Sequence, residues 1–259
     1  MKRKPTDPYP CDSESAPRSS HCSSAAPLTF GSLFAGIGGI DLGFERAGMV
    51  CKWQVEIDDY CQKVLAKHWP KVKRYDDVRT WPQPDTEYVD IIAGGFPCQD
   101  VSAAGKRFGI NGERSRLWFE MLRVVRELRP RIVVVENVPG LLDRGMGNVL
   151  GSLAEIGFDA RGEVLSSCTF GAAHARERVF IVARSDSEPW RRQRWWKRFT
   201  GESPEERNLC QREIEPRVAR MADGIPHRLD RCEKLGNAVD PRVAEWIGRR
   251  IVEASKDVN

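Results

Sequence analysis

The run Ile132-Val133-Val134-Val135 is apolar and β-branched at every position. A strand of that kind has no face to offer to water and belongs inside a sheet covered on both sides. Similar runs recur at Leu28 to Phe34, Val50 to Ile57, Val89 to Ala93 and Val179 to Ala183. Between the runs the apolar residues take up a helical period. From Ser115 to Leu128 one face carries Leu117, Met121, Val124, Val125 and Leu128, and Pro130 stops the helix. Pro241 to Ala254 repeats the pattern with Val243, Ile247 and Ile251 in register, and Pro241 suits the first helical turn. Strand and helix in alternation predict an α/β fold with a mostly parallel sheet and helices on both faces. Ligands of such sheets sit beyond the carboxyl ends of the strands, so the residues after each run are the candidates for chemistry.

The chain has 259 residues, enough for one full core with a small satellite. Residues 1–27 are rich in Pro and Ser without apolar periodicity and are expected to be a disordered tail. The alternating pattern fills 28–184, fails over 185–220 where Trp and Arg crowd together, and resumes over 221–259 as a return to the same domain. Basic residues exceed acidic ones by only four, 41 against 37, which is compatible with a polyanionic partner without requiring one. The eight cysteines form no C-x-x-C pair, and no signal peptide or membrane-length apolar run is present. A reduced, cytoplasmic protein without disulfides, membrane contact or metal is the expectation. Cys11, His21 and Cys22 lack ligand spacing.

The first run ends in the glycine turn Phe34-Ala35-Gly36-Ile37-Gly38-Gly39, where a ligand can approach backbone closely. The dinucleotide fingerprint would place its third glycine at position 41, which is Asp41. An acid at a helix start opposes a pyrophosphate, so a nucleoside cofactor without phosphates is favoured over a nicotinamide dinucleotide. Glu56 ends the second run and is placed to accept from ribose hydroxyls. A short further strand precedes Asp76-Asp77-Val78, which offers a carboxylate and an apolar contact to an adenine. The fourth loop is Gly94-Gly95-Phe96-Pro97-Cys98-Gln99, a thiol held after a proline on a backbone that two glycines leave free. After Ile132 to Val135 comes Glu136, a buried acid suited either to proton donation or to pairing with an arginine. A free cysteine is usually a small buried hydrophobe, but Gly94, Gly95 and Pro97 around Cys98 favour its reading as a nucleophile.

Taken in order, FAGIGG, GGFPCQ, ENV, RER and GNAVDP resemble the cytosine-5 DNA methyltransferase family over about Leu28 to Ser255, apart from the irregular insert. The resemblance implies a Rossmann-like methyltransferase fold with S-adenosylmethionine as cofactor. It implies that Phe34, Gly36, Ile37 and Gly38 line the cofactor site. Glu56 would hold the ribose, Ile57, Asp77 and Val78 the adenine, and Pro97, Asn237 and Ala238 would close the site. Cys98 would attack C6 of cytosine, Glu136 would assist at N3, and Arg176 and Arg178 would brace the acid and bind the base at O2. The family pattern has glutamine where this chain has His174.

The implied partner is double-stranded DNA with the target base flipped out. The crowded segment stands where the family carries target recognition, and Arg191, Arg192, Arg194 and Lys197 are its candidate DNA contacts. That segment is short, so the expectation is a monomer or a chain completed by a partner there. Methylation of RNA cytosine, and a DNA-binding accessory protein without turnover, remain open alternatives at this point.

Overall fold

A computed structural model of the chain describes residues 26–97, 117–186, 195–196 and 238–256. Among these, seven strands form one sheet in the order β3-β2-β1-β4-β5-β7-β6. The five apolar runs become β1 (Thr29–Leu33), β2 (Val50–Val55), β4 (Ile91–Gly94), β5 (Ile132–Asn137) and β7 (Glu177–Ser185). β3 (Lys73–Tyr75) is the short strand ahead of Asp76. The strands from β3 to β5 run parallel, while β7 is antiparallel to β5 and to β6 (Phe158–Ser166). β6 has no counterpart among the apolar runs. Its middle, Arg161 to Val164, is exposed, as befits an edge strand with one neighbour.

The helices are α1 (Gly39–Arg46), α2 (Asp59–His68), α3 (Leu117–Leu128), α4 (Leu141–Arg144), α5 (Met146–Glu155) and α6 (Pro241–Ser255). β5 shows why four apolar residues stand in a row. Ile132 and Val134 enter a core shared with α1 and α6, and Val133 and Val135 enter the opposite core shared with α3 and α5. α3 buries Trp118, Met121, Leu122, Val124 and Val125 on the second side.

α6 starts at Asp240, whose side chain accepts from the Arg242 N–H at 3.0 Å, with Pro241 in the first turn. Small residues let α6 lie close on α1: a Cβ at Gly43 would stand 2.5 Å from Ala244 Cβ and 2.6 Å from the Pro241 carbonyl oxygen. A Cβ at Gly39 would collide with the Val239 carbonyl oxygen. Residues 238–240 are thereby seated at the start of α1, beside the glycine turn.

Trp195 and Trp196 belong to the same core as α1 and α6 and are both buried. Their rings meet edge to face at 4.8 Å, and Trp196 Nε1 donates to Asp159 at 2.5 Å. Arg161 lies over the Trp196 ring at 4.5 Å and Arg184 near Trp195 at 5.9 Å. Asp159 pairs with Arg184, and Arg184 with Ile132 at the start of β5. The tryptophan pair therefore sits at the end of the sheet opposite the carboxyl ends of the parallel strands.

Candidate active site

At those carboxyl ends a cavity of about 940 Å³ opens between the exits of β1, β2, β4 and β5. The glycine turn forms one end. Gly36 has φ 57°, and a Cβ built there meets nothing within 4 Å, so its backbone is open to the cavity. The Gly36 N–H donates to Glu56 Oε2 at 2.7 Å, and Glu56 Oε1 accepts from the Asp58 N–H at 2.8 Å. Two backbone amides thus orient the Glu56 carboxylate at the cavity wall. Phe34, Ile57, Asp77 and Val78 line the same end, and Ala238 and Val239 reach it from the start of α6.

Ile37 and Gly38 do not line this cavity, contrary to the expectation. Gly38 has φ 85° and carries no side chain because the Trp69 ring fills that space. Asp77 caps a short 3₁₀ turn, and its carboxylate is gripped by Arg79, with Nη2 at 2.6 Å and Nε at 3.0 Å. That hydrogen-bonded guanidinium holds the Asp77 carboxyl below the usual carboxylate range.

Asp41 does not stand at the helix start facing a ligand, as its place in the sequence suggested. Asp41 is fully buried and faces the sheet, where Oδ1 accepts from Ser32 Oγ at 2.9 Å and Gln54 Nε2 at 2.8 Å. Burial pushes its carboxyl up, and these hydrogen bonds turn it into the sheet and away from any ligand at the glycine turn. Disfavour of phosphate rests instead on Glu56, Asp58 and Asp77 around the rim.

Glu136 forms the other end of the cavity. It is buried on the exit of β5, and Arg178 Nε meets its Oε1 at 2.9 Å. Burial pushes the carboxyl up, opposed by the charges of Arg178 and Arg176, and the balance leaves it at about 7. The neighbouring Asn137 is buried as well. Its Nδ2 donates to the Phe96 carbonyl at 3.1 Å and its Oδ1 accepts from the Val138 N–H at 2.9 Å. Asn137 thereby ties the β5 exit to the β4 exit, where Gly95, Phe96 and Pro97 line the cavity. Neither Gly94 nor Gly95 has a left-handed φ, so they are not there to free the backbone. A Cβ at Gly94 would stand 2.5 Å from the Leu33 carbonyl oxygen, and one at Gly95 would stand 2.5 Å from Glu136 Oε2.

The model of the C-5 cytosine-specific DNA methylase family matches residues 28–225. The chain belongs to this family. Among curated relatives it is 37% identical over 159 residues to the type II methyltransferase M.BsuFI of Bacillus subtilis, covering 60% of this chain and 39% of that one. It is 33% identical over 159 residues to M.HhaI of Haemophilus parahaemolyticus, covering 60% and 48%. The chain thus spans less than half the length of these relatives. Among solved structures, an Escherichia coli prophage protein described as a DNA modification methyltransferase matches with TM-score 0.53 and 27% identity, over 62% of this chain and 47% of that one. The Schizosaccharomyces pombe Dnmt2 methyltransferase shares the fold, with TM-score 0.52 at 21% identity over 62% and 52%.

In this family member the departure at His174 has a location. Its Nε2 lies 3.9 Å from Oδ2 of Asp240, and Arg242 Nη1 donates to the Gly171 carbonyl at 2.7 Å, so the loop that carries Arg176 rests on the start of α6. Cys98, Asn237, Arg191, Arg192, Arg194 and Lys197 lie outside the described residues, as do Cys11, His21 and Cys22. Asn137 was not singled out from the sequence, and Gly95 was read only as freeing the backbone. An asparagine next to a buried acid was a readable signal for the first, whereas the second depends on a contact across the sheet. Arg79 was readable as the opposite charge two residues beyond Asp77. Among the described residues there is no cluster of three metal-ligating side chains, and no helix is long and apolar enough to cross a membrane.

Proposed function

We propose that this chain transfers a methyl group from S-adenosylmethionine to C5 of a flipped-out cytosine in double-stranded DNA. The observation that carries the reading is Glu136, a buried carboxyl at about 7, in one cavity with the open backbone of Gly36 and with Pro97, the residue before Cys98.

The residues at the glycine end fit the cofactor. Open space above Gly36 admits a ligand against the backbone, and the oriented Glu56 carboxylate suits ribose hydroxyls. Asp77, Val78 and Ile57 suit an adenine by the same logic, and Ala238 borders the site from α6. When bound, S-adenosylmethionine supplies an electrophilic methyl group.

The chain's own groups make cytosine reactive. C5 is a poor nucleophile while the ring is aromatic. Addition of the Cys98 thiolate to C6 forms the S–C bond and shifts the electron pair through the ring. Glu136, whose carboxyl is pushed up to about 7, donates to N3 and makes C5 an enamine carbon able to accept the methyl group. Loss of the C5 proton to solvent then expels the Cys98 thiolate, and N3 returns its proton to the Glu136 carboxylate, which restores the neutral aromatic ring. Arg178 holds one oxygen of Glu136, and Arg176 adds its charge beside it. The target base must leave the stack to reach this cavity, and phosphate contacts supply much of the binding.

Incubation with labelled S-adenosylmethionine and duplex DNA tests the reading. Incorporation into DNA, its loss in Cys98→Ser, and a covalent complex on 5-fluorocytosine duplexes support it. Label in tRNA but not in DNA would move the assignment to RNA. Cofactor and DNA binding without turnover would make the chain an inactive accessory protein.

A further inference from the structure

We infer that Gly95 is a positioning residue for Glu136, its missing side chain leaving the seat in which the acid's second oxygen lies. This rests on the proposed methyl transfer and adds a residue to it. The backbone at Gly95 does not require glycine, because its φ is not left-handed. Space requires it. The three atoms nearest to a Cβ at position 95 all belong to Glu136, with Oε2 at 2.5 Å, the carbonyl oxygen at 3.5 Å and Cδ at 3.6 Å. The adjacent Gly94 has a different reason, the Leu33 carbonyl oxygen on β1.

Register explains how the two residues meet. Gly94, the last residue of β4, pairs with Val135 of β5 in the parallel ladder, so Gly95 comes to lie beside Glu136, which continues in β5 opposite Phe180 of β7. The carboxyl is then fixed at two points. Arg178 Nε takes Oε1 at 2.9 Å, and Oε2 is laid against the bare backbone of Gly95. A methyl group there forces the carboxyl off Arg178 or out into the cavity, and either movement takes it from the position that serves N3. Gly95 stands three residues before Cys98. The loop that ends in the nucleophile thus also shapes the seat of the acid, which couples the two groups that must act on one ring.

The test is a double-mutant cycle of Gly95→Ala and Glu136→Gln, read by single-turnover methyl incorporation into duplex DNA, with cofactor binding and thermal melting alongside. Gly95→Ala should slow methyl transfer by about tenfold to a hundredfold, the order of cost attached to misplacing a catalytic group by about 1 Å. Cofactor affinity should stay within about twofold. In the Glu136→Gln background the same change should cost about twofold or less, because the group it displaces no longer donates a proton. A carbon-13 titration of Glu136, which needs no activity, should show its midpoint moved by about half a unit or more in Gly95→Ala, upward where the carboxyl leaves Arg178 and downward where it moves out into the cavity.

Full multiplication of the two losses, or an unmoved titration of Glu136, would overturn the assignment. Absence of any incorporation by the wild type would instead strike the proposed function and leave the titration to decide on Gly95. If Gly95→Ala does not fold, adding Glu136→Asp, one methylene shorter, should restore folding by withdrawing the carboxyl. Failure of that rescue would likewise count against the assignment.

Discussion

Glu136 is pulled two ways, and the outcome sets how the site responds to pH. Burial at the exit of β5 favours the neutral acid, and Arg178 and Arg176 favour the carboxylate. Burial prevails, and the carboxyl is held at about 7 against an ordinary value of 4.5. An acid that must give a proton to N3 is competent only below that value, so kcat/KM should fall on the alkaline side of about pH 7. Glu136→Gln should lower the rate by about a hundredfold or more and abolish the alkaline fall, as a pH–rate series on both proteins would show. The same shift bears on stability. A group with its folded value raised stabilises the fold fully at low pH and loses that contribution as pH rises through the folded value, here from about 4.5 to about 7. Relative to Glu136→Gln, the wild type should therefore lose on the order of 3 kcal/mol between pH 4 and pH 8, measured by urea denaturation at each pH. Asp41 shifts in the same direction, and its contribution cancels in that comparison because both proteins contain it. Glu136 was legible in the sequence because an acid directly after four β-branched apolar residues has nowhere wet to go. The burial of Asp41 was not. A helix start normally faces solvent or ligand, and Ser32, Gln54 and Cys51, brought together by the pairing of β1 with β2, turn it inward.

Helix interiors show that glycine carries opposite meanings at different sites. In α1, Gly43 is required by α6, whose Ala244 Cβ and Pro241 carbonyl occupy the space of a side chain. Gly43→Ala should destabilise by about 1–3 kcal/mol through overpacking, reduced by the roughly 1 kcal/mol that alanine gains over glycine in a helix. It should also weaken cofactor binding, since α6 carries Ala238 and Val239 to the cavity; calorimetric titration with S-adenosylmethionine would show this. In α5, Gly147 has nothing within 4 Å of a built Cβ and no left-handed φ. Gly147→Ala should raise stability by about 0.5–1 kcal/mol with activity unchanged. Sequence periodicity located α3 and α6 because each buries one stripe against the sheet, but it cannot tell these glycines apart. The difference lies in a partner element some two hundred residues away. β6 escaped for a related reason, since its exposed middle follows its place at the sheet edge and leaves no apolar run to read.

Across the whole molecule the sheet separates chemistry from scaffold. The cavity occupies the carboxyl ends of the parallel strands, and Trp195 and Trp196 pack at the other end, where Asp159, Arg161 and Arg184 receive them. The sequence suggested a charged recognition segment around these tryptophans. Burial in one core with Phe180, Val182, Ile132 and Val134 makes the pair a continuation of the core that α1 and α6 cover elsewhere. Aromatic residues among arginines look alike whether they face solvent, nucleic acid or a core, which is why this was not legible beforehand. Separation by the sheet has a measurable consequence. Trp196→Ala removes a fully buried indole and its donor to Asp159, and should cost about 3–5 kcal/mol. For a domain of this size that corresponds to a drop in Tm of about 10 °C. Well below the new Tm, the affinity for S-adenosylmethionine should remain within about twofold, because no group at the cavity has moved. Scanning calorimetry and cofactor titration on the same preparation would check both halves. A large loss of cofactor affinity in a protein that still melts cooperatively would mean that the two ends of the sheet are coupled, and that the tryptophan pair serves the site as well as the scaffold.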